Sequence, residues 1–250
     1  MNEDFVSQLG SLGLSRGDIV LMHSSMKALG TKKTSLEFLE DIIAVLGPEG
    51  TLLLPALSYE YVTSENPYFS VSDTEPCIGL LPRTFFHMEG VIRSVHPTHS
   101  VCAYGKRAAE LCARHYLDET PVGPNSPFMK LRECGGKILF IGDTVKCCTF
   151  MHGLEEIAKA PYCLKKERNH YIIKDALGNI TKRDLFGHDF EGWAQEYQKI
   201  KDLLEYPEIR TGKVGEADCF LFDAAALANR ALEKFRENPL YFVSEKMEEA

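Results

Sequence analysis

Paired CxxC spacing is missing from the eight cysteines, Cys77, Cys102, Cys112, Cys134, Cys147, Cys148, Cys163 and Cys219. They therefore read as reduced, small apolar groups rather than as zinc ligands, and no metal is expected. Neither a Ser/Gly- or Pro-rich linker, nor a repeat, nor a low-complexity tract divides the 250 residues, which predicts one domain over 1–250. Apolar runs of membrane-spanning length are absent, and the opening MNEDFVSQLGSLGL lacks the basic start and long apolar core of a secretion signal. A soluble, cytoplasmic protein without a membrane partner is expected. Basic charge is also short: 28 Lys and Arg face 36 Asp and Glu, a net charge of -8. That balance argues against a partner read through its phosphate backbone, such as nucleic acid. It is compatible with a small cationic substrate, which an acidic cleft would concentrate.

What is present begins as strand, helix, strand. Ile19-Val20-Leu21-Met22 and Thr51-Leu52-Leu53-Leu54 are apolar throughout, as expected of strands covered on both faces. Between them Thr34-Ser35 can cap a helix through Leu46 whose stripe is Leu36, Leu39, Ile42, Ile43 and Leu46. These patterns predict an α/β fold with a central, mostly parallel sheet covered by helices. Further helices are expected over 3–12, 80–88, 106–116, 129–134 (capped by Ser126), 190–204 and 224–236. Residues 91–105 read as two strand pieces bent at Pro97, 170–184 as a hairpin around Leu177-Gly178-Asn179, 214–222 as a late strand, and EKMEEA at the end as a frayed terminus. The hairpin and the later helices form a C-terminal extension of the sheet.

The first strand runs into His23-Ser24-Ser25, which puts hydroxyls and backbone N–H groups at a strand's carboxyl end, where open α/β sheets bind ligands. A plain serine turn would look the same. Residues 58–76 are polar and aromatic, long for a connection, and carry Glu60, Glu65, Asp73 and Glu75, so they form a candidate substrate loop. At the Pro97 bend gather Arg93, Ser94, His96, His99 and Ser100, residue types suited to phosphate and amide groups. The stretch 137–161, KILFIGDTVKCCTFMHGLEEIAKAP, is a strand, a loop and a helix with Thr149 as its expected N-cap. Three and four residues on from His152, Glu155 and Glu156 return to the face of the imidazole. A histidine beside a carboxylate is what a general base needs, although a histidine near a helix start also serves as a solvated or capping residue.

Taken together these segments resemble the aminoglycoside 3-N-acetyltransferase family, acetyl-CoA-dependent antibiotic acetylases whose fold differs from the GNAT acetyltransferases. The resemblance is carried by GDIVLMHSS at 17–25 with Gly30, GTLLLP at 50–55, RSVHPTHS at 93–100 with Gly105, and SPFMKL at 126–131. It continues through GKILFIG at 136–142 with Thr149, His152 and Glu155, and through GKVGEA at 212–217. It implies an enzyme that binds acetyl-CoA in a ternary complex and passes the acetyl group to the amine of an aminoglycoside or related amino sugar. Catalysis would fall to His152 with Glu155. Cofactor binding would fall to His23, Ser24, Ser25, Met26, Gly30, Arg93, Ser94, His96, Ser100, Ser126 and Phe128. Glu60, Asp73, Glu75 and Glu156 would hold a cationic acceptor, and a homodimer is compatible with the chain.

Two departures touch the acceptor side. Glu75-Pro76-Cys77 stands where many members have Thr-Pro-Ser, and Cys147-Cys148 replaces a more polar pair before Thr149. Three rivals stay open on the residues alone. Cys147 or Cys148 can act as a nucleophile with His152 as base in a hydrolase or acyl-enzyme transferase. His96, His99, His152 and Glu155 can ligate a hydrolytic metal. The chain can also bind acyl-CoA without catalysis.

Overall fold

Alternation within the apolar runs decides the architecture. In the first strand Ile19 and Leu21 join one hydrophobic cluster while Val20 and Met22 join another, and all four are buried. The same split separates Leu53 from Leu52 and Leu54, and Ile138 and Phe140 from Leu139 and Ile141. Successive strand side chains face opposite ways, so a run apolar at every position requires cover on both faces.

The computed structural model describes residues 4–246. The first half contains α1 (Phe5–Leu12), β1 (Ile19–Ser24), α2 (Ser35–Leu46), β2 (Thr51–Leu57), β3 (Tyr68–Ser70), α3 (Leu80–Phe86), β4 (Ile92–Arg93), β5 (His99–Gly105) and α4 (Ala108–Cys112). Then come α5 (Pro127–Glu133), β6 (Lys137–Ile141), α6 (Thr149–Ala158), β7 (Leu164–Lys174), β8 (Ile180–His188) and β9 (Trp193–Gln195). The chain ends with β10 (Ile209–Val214), β11 (Ala217–Asp223), α7 (Ala224–Glu237) and β12 (Val243–Glu245).

A seven-stranded sheet in the order β10-β11-β6-β1-β2-β5-β4 forms the centre. Five of its strands run one way and β11 and β5 run against them, and direct parallel pairing is confined to β6, β1 and β2. Apolar side chains of α1, α2 and α3 pack on one face, and those of α4, α5, α6 and α7 on the other. Burying Phe38, Leu39, Ile42, Val45 and Leu46 of α2 stabilises the fold by roughly 1.5 to 3 kcal/mol per side chain. Leu36, expected in that stripe, is exposed, whereas Phe38 and Val45 are turned inward. Thr34 and Glu37 form the reciprocal capping box, and Ser126 caps α5 ahead of Pro127.

Beyond the carboxyl ends of β1 and β6 stands a second, three-stranded sheet, β3-β7-β8. It is the expected hairpin, lengthened, with β3 from the 58–76 loop added in parallel to β7, Tyr68 opposite Ile172.

Four local expectations are corrected. The 190–204 helix is instead β9, paired antiparallel with β12, and a 3-10 turn at Tyr197–Asp202. Gly192 takes φ 76, a left-handed conformation that interrupts a helix, and pairing with β12 then draws Trp193 to Gln195 into a strand. The 106–116 helix breaks after Cys112, because His115 is drawn inward to Ser94 and the Pro121 carbonyl. The 214–222 strand is the second arm of a hairpin turning at Gly215 (φ 58), where a Cβ would lie 2.4 Å from the Leu29 carbonyl oxygen. Cys148, not Thr149, precedes α6, and no side chain caps that helix. Of the expected frayed end, Glu245 closes β12 and the Lys246 N–H reaches the Gly192 carbonyl at 2.8 Å. Residues 247–250, like Glu3 of the first helix expectation, lie outside the described residues. Among the described residues no helix is long and apolar enough to cross a membrane.

Candidate active site

Between the carboxyl ends of the central strands and the three-stranded sheet lies a cleft of about 680 Å³. Its floor is made by β1, which delivers His23 and Ser24, and by the loop and helix after β6, which deliver Thr144, Cys147, Thr149 and His152. The facing wall is Asn169 and Tyr171 of β7 and Gly187 and His188 of β8, with Phe190 and Tyr197 closing one end.

His152 is the best-organised group in it. Its side chain is 17% exposed, while Glu155, one helical turn on, is fully buried beneath it. His152 Nδ1 lies 3.1 Å from Glu155 Oε2 and 2.8 Å from the Tyr197 hydroxyl. Tyr197 donates to the same carboxylate oxygen at 2.7 Å, and Tyr162 donates to the other at 3.0 Å. Burial and the Glu155 charge push both phenols up, so they stay protonated and act as donors. With the carboxylate accepting from two hydroxyls, the proton of His152 belongs on Nδ1, which leaves Nε2 as the unprotonated nitrogen. Phe190 stacks on the imidazole at 4.8 Å between ring centroids.

Around this group the other histidines are held neutral. His188 and His99, whose rings lie 4.7 Å apart, are both lowered well below the ordinary histidine range, first by burial and then by neighbouring histidines. His23, stacked on Phe140, is lowered to about 3 for the same reasons. His188 Nε2 sits 2.9 Å from Glu156 Oε1. Glu156 also accepts from the Thr120 hydroxyl at 2.6 Å and the Val122 N–H at 2.8 Å, and burial raises it to about 7.

Placed against this geometry, the residues singled out in the sequence divide sharply. His23, Ser24 and His152 line the cleft, and Glu155 supports His152 from below. Arg93 does not reach it. Its guanidinium donates to Ser100 Oγ at 2.7 Å, to the Ala56 carbonyl at 2.8 Å and to the Thr74 carbonyl, and lies over the Phe69 and Phe86 rings. Ser94 is spent on His115 and the Val101 N–H, and Ser100 on Ala56 and Arg93. His96 is buried against His115 and accepts the N–H groups of Thr98 and His99. Ser126 caps α5, Phe128 is core, Ser25 caps the 3-10 turn at Met26–Leu29, and Met26 packs on the core. Gly30 takes φ 62 beside Glu216, whose carboxyl carbon a Cβ would meet at 2.4 Å. In this structure the polar groups of Arg93, Ser94, Ser100 and Ser126 are engaged within the fold, whereas His96 Nε2 is buried without a hydrogen-bond partner.

The acceptor candidates have neighbours of their own. Asp73 is engaged by Ser70 and Lys174, Glu75 by His87, and Glu60 lies outside the cleft lining. Glu156 acts through His188. Tyr197, Tyr162, His188 and the β7 wall went unread in the sequence. Tyr197 is 45 residues from His152 and carried no local signal.

The rival chemistries meet obstacles here. Cys148 is fully buried with its thiol pushed up to about 12, and the Cys147 thiol, although at the cleft, is also raised by burial. Among the described residues no three His, Cys, Asp or Glu side chains are grouped as metal ligands.

The family model described as aminoglycoside 3-N-acetyltransferase matches residues 21–236. Aminoglycoside N(3)-acetyltransferase IX of Micromonospora chalcea is 29% identical over 90% of this chain and 89% of its own. The structure of AAC-IIIb in binary complex with CoASH superposes with a TM-score of 0.82 at 25% identity, covering 93% of this chain and 95% of that one. Sisomicin-bound AAC-VIa superposes at 0.80 with 25% identity, covering 94% and 97%. With a single family model spanning the chain from β1 to α7, the chain belongs to the aminoglycoside 3-N-acetyltransferase family.

Proposed function

We propose that the protein transfers the acetyl group of acetyl-CoA directly to an amino group of an aminoglycoside or related amino sugar, with His152 as the general base. The observation that carries this reading is the lock on one side of His152. Glu155 and Tyr197 hold Nδ1, so Nε2 is left for a proton from a bound acceptor. The CoASH complex of AAC-IIIb and the sisomicin complex of AAC-VIa support the choice of both substrates.

An amine reacts only through its lone pair. His152 Nε2 takes a proton as the amine nitrogen attacks the thioester carbonyl carbon. The carbon–sulfur bond then breaks, and the CoA thiolate recovers a proton from the imidazolium. Glu155 stabilises the imidazolium, and the two tyrosines fix Glu155. The oxyanion needs N–H donors. The Ser25 N–H is committed to the Ile141 carbonyl, whereas α6 opens at the cleft beside Thr149 with no side-chain cap, so its first turn is the better candidate.

The test is CoA thiol release by purified protein with acetyl-CoA and an aminoglycoside. One thiol per N-acetylated product is expected, and Cys147→Ser should retain at least about half the rate, since direct transfer needs no thiol. An acetylated cysteine detected by mass spectrometry on the intact protein, with Cys147→Ser inactive, would replace direct transfer by an acyl-enzyme route.

A further inference from the structure

The net charge of -8 suggests a cleft that gathers cations, and the cleft is not built that way. Among the described residues no aspartate or glutamate lines it, while Lys146 and Lys165 do. The acid is spent elsewhere: Asp73 on Lys174, Glu75 on His87, and Glu155 on His152 and two phenols. Lys146 is answered by Asp143 at 3.0 Å. Lys165, exposed on β7, has no carboxylate partner among the described residues. The cleft histidines His23, His99 and His188 are held neutral by burial and offer a cation no counter-charge. The wall beside Lys165 is also kept open. At Gly187 a Cβ would lie 2.9 Å from Asn169 Nδ2 and 3.7 Å from Lys165 Cδ, so the missing side chain leaves both groups access to one space.

A ligand with several ammonium groups would find here no carboxylate in the lining, with Glu155 already committed to His152 and two phenols and Asp143 to Lys146, and would sit beside an unpaired lysine, an arrangement that disfavours it. We propose that the acceptor is an amino sugar of low positive charge that carries an anionic group, held through that group by Lys165 and Asn169 while its amine meets His152. This rests on the acetyl-transfer reading and narrows its acceptor class to the less cationic end.

Three probes separate the possibilities: glucosamine 6-phosphate, glucosamine and sisomicin, each with acetyl-CoA in the thiol-release assay. The expected order of kcat/KM is phosphate ester, then neutral sugar, then sisomicin. Lys165→Gln should raise KM for the phosphate ester about three- to tenfold, the scale of one partly exposed charge pair. Lys165→Glu should shift the preference toward sisomicin, and added salt should raise KM for the phosphate ester. Sisomicin preferred by the wild type, with neither variant changing the order, would overturn the inference and leave acetyl transfer standing. No thiol release with any probe, while calorimetry shows CoA binding, would overturn acetyl transfer and the inference with it.

Discussion

The bend at Pro97 and the first turns of α6 carry the same kinds of residue, histidines with polar or charged neighbours, yet the fold gives them opposite fates. Around Pro97, Arg93, Ser94, His96 and Ser100 are all at most 8% exposed, and their polar atoms are bonded to neighbouring side chains or to backbone except His96 Nε2, which is buried away from the cleft without a partner. On α6, Glu155 is just as buried, but its bonds run outward to a histidine that reaches the cleft. The Pro97 cluster turns its bonds inward, whereas the α6 network is left open at an atom that reaches the cleft, where a ligand can meet it. Burial enforces the first through the cost of unpaired polar groups, and it creates the second when every partner but one is supplied from within.

His152→Ala should break the contrast most severely. It is expected to lower kcat about 10²- to 10⁴-fold with CoA affinity within a few-fold of wild type. A wild-type rate in this variant would move the base to His99 or His188. Acid titration tests the closed side. His96 and His99 lie well below the ordinary histidine range and His115 falls to about 4, in each case chiefly through burial. Unfolding lets these rings bind protons once the pH is under about 6.5. Their contribution is therefore complete above that pH and is lost as the pH falls toward the lowered values, at about 1.4 kcal/mol per pH unit per histidine. Glu156, raised to about 7, works in the opposite sense, its contribution being lost as the pH rises from the ordinary carboxylate range through 7. Asp118, also raised by burial, adds in the same sense as Glu156, but two carboxyls against several deeply buried histidines leave a net loss on acidification, which thermal melts between pH 7.5 and pH 5, about 2.5 units apart, should record as a falling Tm. A flat or rising Tm would mean that the rings are not held neutral.

Arg93→Ala should act on folding. Removing the guanidinium takes the donor from the Thr74 carbonyl and one of two partners each from the Ala56 carbonyl and Ser100, which keep their bond to each other, and it empties a buried space over Phe69 and Phe86; the expected loss is about 3 kcal/mol in denaturant unfolding with little change in CoA affinity. A tenfold loss of CoA affinity at unchanged stability would return Arg93 to the site. The smallest effect is expected from Tyr197→Phe, which keeps the ring and deletes the hydroxyl shared by His152 and Glu155. About a fivefold fall in kcat with KM for acetyl-CoA unchanged would identify a positioning residue. Equal loss in stability and no change in kcat would make the hydroxyl merely structural.

The sequence by itself determined the parts whose physics is local. Runs apolar at every position required a sheet covered on both faces, Thr34 and Ser126 marked helix starts, and the three-residue step from His152 to Glu155 put both on one side of α6. Only the tertiary structure decided which polar cluster opens to solvent, because residue type at the Pro97 bend is the same whether a hydroxyl faces CoA or a buried carbonyl. It also decided the long-range members. Tyr197 reaches His152 because β9 pairs with β12, and Lys165 becomes the cation of the cleft wall because β7 stands across from β1 and α6. Such placements depend on contacts between segments far apart in the chain, and periodicity, caps and turn residues carry no information about them.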